Sequence, residues 1–271
     1  MTSYRAVYFD VDGTLVDERR RFHPLTVAAI HELVRRGVRR ALATGRAFAS
    51  ARPFVRAIAA DAPLVLYNGA QVADPADGSV LVARPLPLAH ARRALELARV
   101  HRLHVNLYLD QLYVEHVGER AEASVLKDGI PATAVKDLLA FLAEDPTKLL
   151  LIGPAAACDA FKTELDADLA ADPSPPTVVR SEPEYVEVLG CGVNKGAALR
   201  AACAAAGLDP AEVVAFGDSL NDLELLQAAG LGVAPAAAHP EVRRQADLVV
   251  GDNEGDGIGV ALAQIFGLPL P

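Results

Sequence analysis

The sequence predicts an α/β protein, a parallel sheet covered by helices, with an α+β domain inserted into it. Three observations lead there. At both ends of the chain short apolar runs alternate with stretches of helical periodicity, the pattern of βαβ units. Several of those runs stop abruptly at Asp, Thr, Asn or Gly, and open α/β sheets hold ligands at the carboxyl ends of their strands. Between the two ends, over about residues 84–183, neighbouring strand-like runs joined by a tight turn imply antiparallel pairing instead. The domain reading is therefore a core of residues 1–83 and 184–271 with an insertion at 84–183.

Ala6-Val7-Tyr8-Phe9 reads as a first buried strand. Residues 24–36 carry apolar side chains at helical spacing, with Pro24 at the start and Gly37 just past the end, the asymmetry expected of a helix. Residues 38–43 read as a second strand, 47–60 as a helix and 64–67 as a third strand, a βαβαβ unit whose connections should be right-handed. The C-terminal part repeats the pattern. An Ala-rich helix at 195–206 is closed by Gly207, and strands at 213–216, 231–233 and 248–250 alternate with helices at 220–229, near 240–246 and from 257 onward. The insertion reads as helix 88–101, strands 105–109 and 112–117, a helical stretch 134–143, strand 149–152, helix 155–170 and strand 177–180.

A chain of 271 residues can bury a full α/β core and still form a second, smaller domain. Its residues are 52% apolar, but no run of about eighteen uninterrupted apolar residues occurs, so a soluble protein is expected. Met1-Thr2-Ser3-Tyr4-Arg5 lacks the basic-then-apolar layout of a secretion signal, which makes a cytoplasmic location the expectation. Cys158, Cys191 and Cys203 are far apart and lack CxxC spacing, so neither a disulfide framework nor a thiolate metal site is predicted. A formal charge of −9 opposes attraction to nucleic acid or anionic lipid, leaving a small molecule as the expected partner.

Four groups of residues carry chemistry. Asp10-Val11-Asp12-Gly13-Thr14 follows the first strand, and two carboxylates so close would repel unless a cation sat beside them. A solvated turn has the same letters, and sugar-nucleotide transferases also hold a metal with a DxD. Thr44-Gly45-Arg46 ends the second strand and Asn68-Gly69 the third, either of which is compatible with ordinary turn chemistry. In Asn194-Lys195-Gly196, Asn194 can cap a helix, while Lys195 in its first turn runs against the helix dipole and implies an anion nearby. Gly217-Asp218-Ser219-Leu220-Asn221-Asp222 places two more carboxylates at a strand-to-helix junction, more than capping requires. Together the groups gather acidic, hydroxyl, amide and ammonium functions at one end of one predicted sheet.

As an ordered set, DVDGT, TGR, the Lys of NKG and GDSLND resemble the four motifs of the haloacid dehalogenase (HAD) superfamily. Asn68-Gly69-Ala70 and the insertion between the second and third motifs resemble its Cof-type branch, over nearly the whole chain. The sequence departs from that branch at Pro235-Ala236-Ala237, where an amide side chain and a Gly are usual; His239 is read as a loop or helix-start residue. The resemblance implies a Rossmann-like core with a cap domain, and a phosphatase in which Asp10 attacks phosphorus and becomes an aspartyl phosphate. It implies that Asp12 is the general acid and base, and that Mg²⁺ is held by Asp10, the Asp12 carbonyl and Asp218, with Asp222 binding or orienting that shell. Thr44, Lys195 and Asn221 would bind the phosphoryl group; Gly45, Arg46 and Asn68 would contact the substrate; the cap would cover the site and read the leaving group. Small phosphorylated metabolites are the implied substrates, sugar phosphates first. A phosphomutase, or a sensor of phosphorylated metabolites without catalysis, are the alternatives; the first would need cationic groups in the cap, and the second would normally lack Asp10 or Asp12.

Overall fold

The structure, a computed structural model, describes residues 4–118, 130–253 and 255–269. Met1 to Ser3, which bear on the secretion-signal reading, and residues 119–129 of the predicted insertion lie outside them. In chain order the elements are β1 (Ala6–Phe9), α1 (Pro24–Arg35), β2 (Arg39–Leu42), α2 (Phe48–Ala57), β3 (Leu64–Leu66), β4 (Gln71–Ala73), β5 (Val80–Ala83), α3 (Leu88–Val100), β6 (His104–Tyr108), β7 (Leu112–Val114), β8 (Ala132–Ala134), α4 (Leu138–Phe141), β9 (Lys148–Ile152) and α5 (Ala155–Asp168). Then follow β10 (Thr177–Glu182), β11 (Tyr185–Leu189), α6 (Lys195–Ala206), β12 (Val213–Phe216), α7 (Leu223–Ala228), β13 (Leu231–Pro235), α8 (Pro240–Gln245), β14 (Leu248–Val250) and α9 (Gly257–Phe266). The chain divides into two compact units, Met1–Val82 with Asn194–Pro271, and Ala83–Val193.

In the first unit five of the described strands form a parallel sheet in the order β14-β13-β12-β1-β2. Its central strands are apolar throughout and fully buried, Ala6 to Phe9 in β1 and Val213 to Phe216 in β12, as a strand covered on both faces requires. Phe9 and Phe216 are register partners whose rings stack at 5.3 Å, so the two strands end level with one another. Helix α1 begins with Pro24 and turns Thr26, Ala29, Ile30 and Leu33 inward. It packs on α9 at Gly259, where a Cβ would lie 2.7 Å from the Leu25 carbonyl carbon. Each large apolar side chain fully buried this way contributes about 1.5–3 kcal/mol.

The third expected strand behaves differently. β3 pairs antiparallel with β4 in a separate three-stranded sheet, β3-β4-β5, and meets the parallel sheet through a bridge between Ala43 and Val65. The expected helix 220–229 is a 3₁₀ turn at Leu220–Asp222 followed by α7, because the Asp222 carboxylate is drawn back to the amides of Asp218 and Ser219.

The second unit carries a sheet ordered β10-β11-β9-β6-β7-β8, antiparallel apart from the β7–β8 pair. Alternate residues, Val105, Leu107, Leu149, Leu151, Val186 and Val188, form an apolar core with Leu95 of α3 and Phe161 and Leu165 of α5. This unit runs on to Val193, past the boundary expected at 183, because β11 pairs with both β9 and β10. The stretch 134–143 contains only the short α4, whose cap is Asp137 accepting from the Ala140 amide, and Ala132–Ala134 is a strand instead.

Candidate active site at the strand ends

Every expected site residue belongs to the first unit and follows the carboxyl end of a strand, apart from Lys195, which opens α6. Asp10 is the residue after β1, and its amide donates to the Phe216 carbonyl (2.9 Å), tying it to the end of β12. Lys195 Nζ lies 2.7 Å from Asp10 Oδ1 and 2.6 Å from Asp222 Oδ1. This is the anion that its position in the first turn of α6 implied. Asn194 caps that helix, its Oδ1 accepting from the Ala197 amide (2.7 Å). Lys195 and Asp222 are buried, at 1% and 0% exposure, and Asp10 nearly so at 7%.

Asp10, Asp218 and Asp222 each bring a carboxylate oxygen within 4.8 Å of the others. Burial is the largest influence on Asp10 and, with Asp222 and Asp218 beside it, holds its carboxyl well above the usual range despite Lys195. Asp218 is raised too, by burial and by Asp222, against the hydroxyls that bond it. Burial alone would depress the Lys195 ammonium, but Asp10 and Asp222 override it and hold its pKa above the ordinary value. One ammonium cannot balance three clustered carboxylates, two of them buried, and an all-oxygen donor set suits a hard divalent cation. The residues present therefore fit a metal ion, with Asp10 and Asp218 best placed to hold it. Each Asp218 oxygen takes a single hydroxyl and keeps a lone pair, whereas Asp222 is fully buried, with Oδ1 on Lys195 and Oδ2 filled by the amides of Asp218 (3.1 Å) and Ser219 (3.0 Å), so its geometry is that of an orienting group.

Two contributors carry no role in the sequence reading. Thr14 Oγ1 donates to Asp218 Oδ1 (2.7 Å) and Ser219 Oγ to Asp218 Oδ2 (2.9 Å), gripping that carboxylate from both sides. Their signal was present, a hydroxyl within each acidic motif. Gly13, at φ 81°, lets the loop pass so near Asp218 that a Cβ would lie 2.5 Å from its Oδ2.

The Asp12 carboxylate is not among the three. It turns to Arg46, whose Nε and Nη2 donate to Oδ2 (2.7 Å) and Oδ1 (2.6 Å). Thr44 is buried beside this pair, its Oγ1 accepting from the Arg46 amide (3.2 Å). Beyond β3, Tyr67, Asn68 and Gly69 all have positive φ (51°, 55° and 101°), a run that costs non-glycine residues free energy. It is held by the Tyr67 amide donating to the Arg46 carbonyl and the Asn68 amide to the Thr44 carbonyl, both at 3.1 Å. The turn thus brings Asn68 against Gly45, where a Cβ would meet the amide at 3.1 Å, and against Asn221, whose Nδ2 donates to Asn68 Oδ1 (3.0 Å). Asn221 Oδ1 is buried and finds no donor among the described residues. The bond to Asn68 uses one of the two N–H groups of Asn221 Nδ2, and the second is the donor it can offer a phosphoryl oxygen. His239 caps α8, and its amide donates to the Asp218 carbonyl (2.8 Å).

A family model of haloacid dehalogenase-like hydrolases matches residues 7–262. The chain belongs to the haloacid dehalogenase-like hydrolase family. Pyridoxal phosphate phosphatase YbhA of Escherichia coli K12 is 29% identical to this HAD-like chain over 265 residues, 94% of this chain and 96% of its own. An HMP-PP phosphatase of Serratia proteamaculans is 30% identical over 250 residues, 89% of this chain and 86% of its own. Among solved structures, a Thermotoga maritima protein superposes with a TM-score of 0.82 at 28% identity, covering 96% of this chain and 97% of its own. The expected fold class, a HAD-type parallel α/β core with additional sheets, and the resemblance to the Cof-type branch both hold. The relatives are named phosphatases, in keeping with the phosphoric monoester hydrolase expected of this HAD-like chain. No helix among the described residues is long and apolar enough to cross a membrane.

Proposed function

We propose that the chain is a Mg²⁺-dependent phosphatase of small phosphorylated metabolites that works through an aspartyl phosphate on Asp10. The observation that carries this reading is the Lys195 ammonium held between Asp10 and Asp222 beside Asp218 at the end of β1. An Asp10 oxygen attacks phosphorus, the bond to the leaving oxygen breaks, and Asp12 gives that oxygen its proton. Water then attacks the aspartyl phosphate, Asp12 takes its proton, and Asp10 and inorganic phosphate are released. Lys195 opposes the upward push of burial on the Asp10 carboxyl and faces the phosphoryl oxygens, with Thr44 and Asn221 as further donors. When bound, Mg²⁺ would supply charge neutralisation for the carboxylates and the phosphoryl group, held by Asp10, the Asp12 carbonyl and Asp218.

Sugar phosphates remain the first substrates to try, and pyridoxal phosphate joins them because a relative is named for it. The test is phosphate release from a panel of metabolite phosphates with Mg²⁺, with chelator, and by Asp10→Asn. The expected result is turnover that chelation abolishes, that Mg²⁺ restores better than Ca²⁺ does, and that Asp10→Asn lacks while keeping its fold. Full activity in chelator would contradict the metal site, and a folded Asp10→Asn protein with normal turnover would contradict the nucleophile.

A further inference from the structure

Arg46 follows Thr44-Gly45 at the end of β2, a place from which contact with substrate is expected, yet its fork is turned onto Asp12. Both Asp12 oxygens are gripped, at 2.7 and 2.6 Å, by Nε and Nη2 of one planar guanidinium. The partners are unequally buried: the Arg46 side chain is 6% exposed and that of Asp12 48%. Arg46 is fixed from several directions. Its guanidinium lies over the Phe54 ring at 5.3 Å, its amide donates to Thr44 Oγ1, and its carbonyl accepts from Tyr67. Asp12 lies on a loop with half its side chain in solvent. A fork that binds both carboxylate oxygens fixes both side-chain torsions at once, which a single donor cannot do.

We infer that Arg46 is the positioning residue of Asp12: it holds the acid–base carboxylate at one place and angle, and does not serve chiefly as a phosphate or substrate contact. The inference rests on the phosphatase reading, in which Asp12 moves the proton. Proton transfer depends steeply on geometry, since misplacing a reacting group by about 1 Å costs on the order of 10²-fold. The same pairing explains why a buried cation is tolerated beside Thr44, because Asp12 neutralises it.

A double-mutant cycle tests this: wild type, Arg46→Gln, Asp12→Asn and the double variant, each assayed with Mg²⁺ on an alkyl phosphate and on 4-nitrophenyl phosphate. Arg46→Gln is expected to lower kcat on the alkyl ester by roughly 10–10²-fold and on the aryl ester by less, since a good leaving group needs little protonation. KM should change little. The double variant should be no slower than Asp12→Asn alone, because residues acting as one unit lose their effect once. Arg46→Lys, which can grip one oxygen, should recover part of kcat, and it carries the comparison if Arg46→Gln does not fold. A rise in KM that persists in the Asp12→Asn background would make Arg46 a substrate contact and overturn the inference, as would additive losses in kcat. A wild type inactive on both esters would instead sink the phosphatase reading, and this inference with it.

Discussion

At the scale of single residues, the two aspartates of DVDGT diverge within three positions. Asp10 is buried, pushed upward by burial and relieved by Lys195, whereas Asp12 is half-exposed and paired to Arg46. A nucleophile must stay in line with phosphorus, while an acid–base group must reach the leaving oxygen and water. That difference predicts how Asp12→Ala fails: kcat should fall by about 10²–10⁴-fold for the lost acid–base assistance, least for aryl phosphates. Measuring kcat over esters of graded leaving-group basicity checks it, and equal losses across the series would argue against protonation by Asp12. The motif letters carried the identity of these residues but not their pairing. Nothing in Thr44-Gly45-Arg46 says that the arginine reaches back across two strand ends to Asp12, because that contact depends on β1 and β2 ending side by side.

At the scale of elements, legibility followed local signals. Helix 195–206 is found with the bounds expected, because Asn194 caps it and Gly207, at φ 64°, ends it. Strands 213–216 and 248–250 also hold, each a short apolar run with clear stops. β11 was missed because Glu187 interrupts its apolar run, and only the fold shows what that charge does. Glu187 Oε2 accepts from Lys148 Nζ of β9 at 2.6 Å, both side chains are buried, and Lys148 lies 5.2 Å from the Tyr108 ring centre. A pair of this kind adds little over well-packed apolar residues, but removing one member strands the other. Lys148→Met is therefore expected to destabilise the second unit by about 3–5 kcal/mol, and Lys148→Met/Glu187→Met to recover most of that loss. Denaturant titrations of the three proteins decide it, and a double variant as unstable as the single one would show that the pair does not act as a pair.

At the scale of the whole molecule, the chain builds two apolar cores from separate stretches of sequence. One draws on residues 6–73 and 198–268, the other on residues 86–188, and no buried residue among those described belongs to both. Every expected catalytic residue sits in the first unit. The net charge of −9 disfavours polyanionic substrates whichever unit meets them. If the first unit holds the chemistry and the insertion reads the leaving group, the two should separate on excision. Replacing residues 83–193 by a short flexible linker should leave a protein that unfolds cooperatively and still hydrolyses 4-nitrophenyl phosphate with Mg²⁺, since its core loses no member. Its ranking of sugar phosphates, pyridoxal phosphate and phosphopeptides by kcat/KM should flatten, erasing preferences that amount to roughly 10–10²-fold where a few contacts discriminate. A folded, active, shortened protein that keeps the full preference order of the intact chain would place specificity in the first unit and overturn the division of labour.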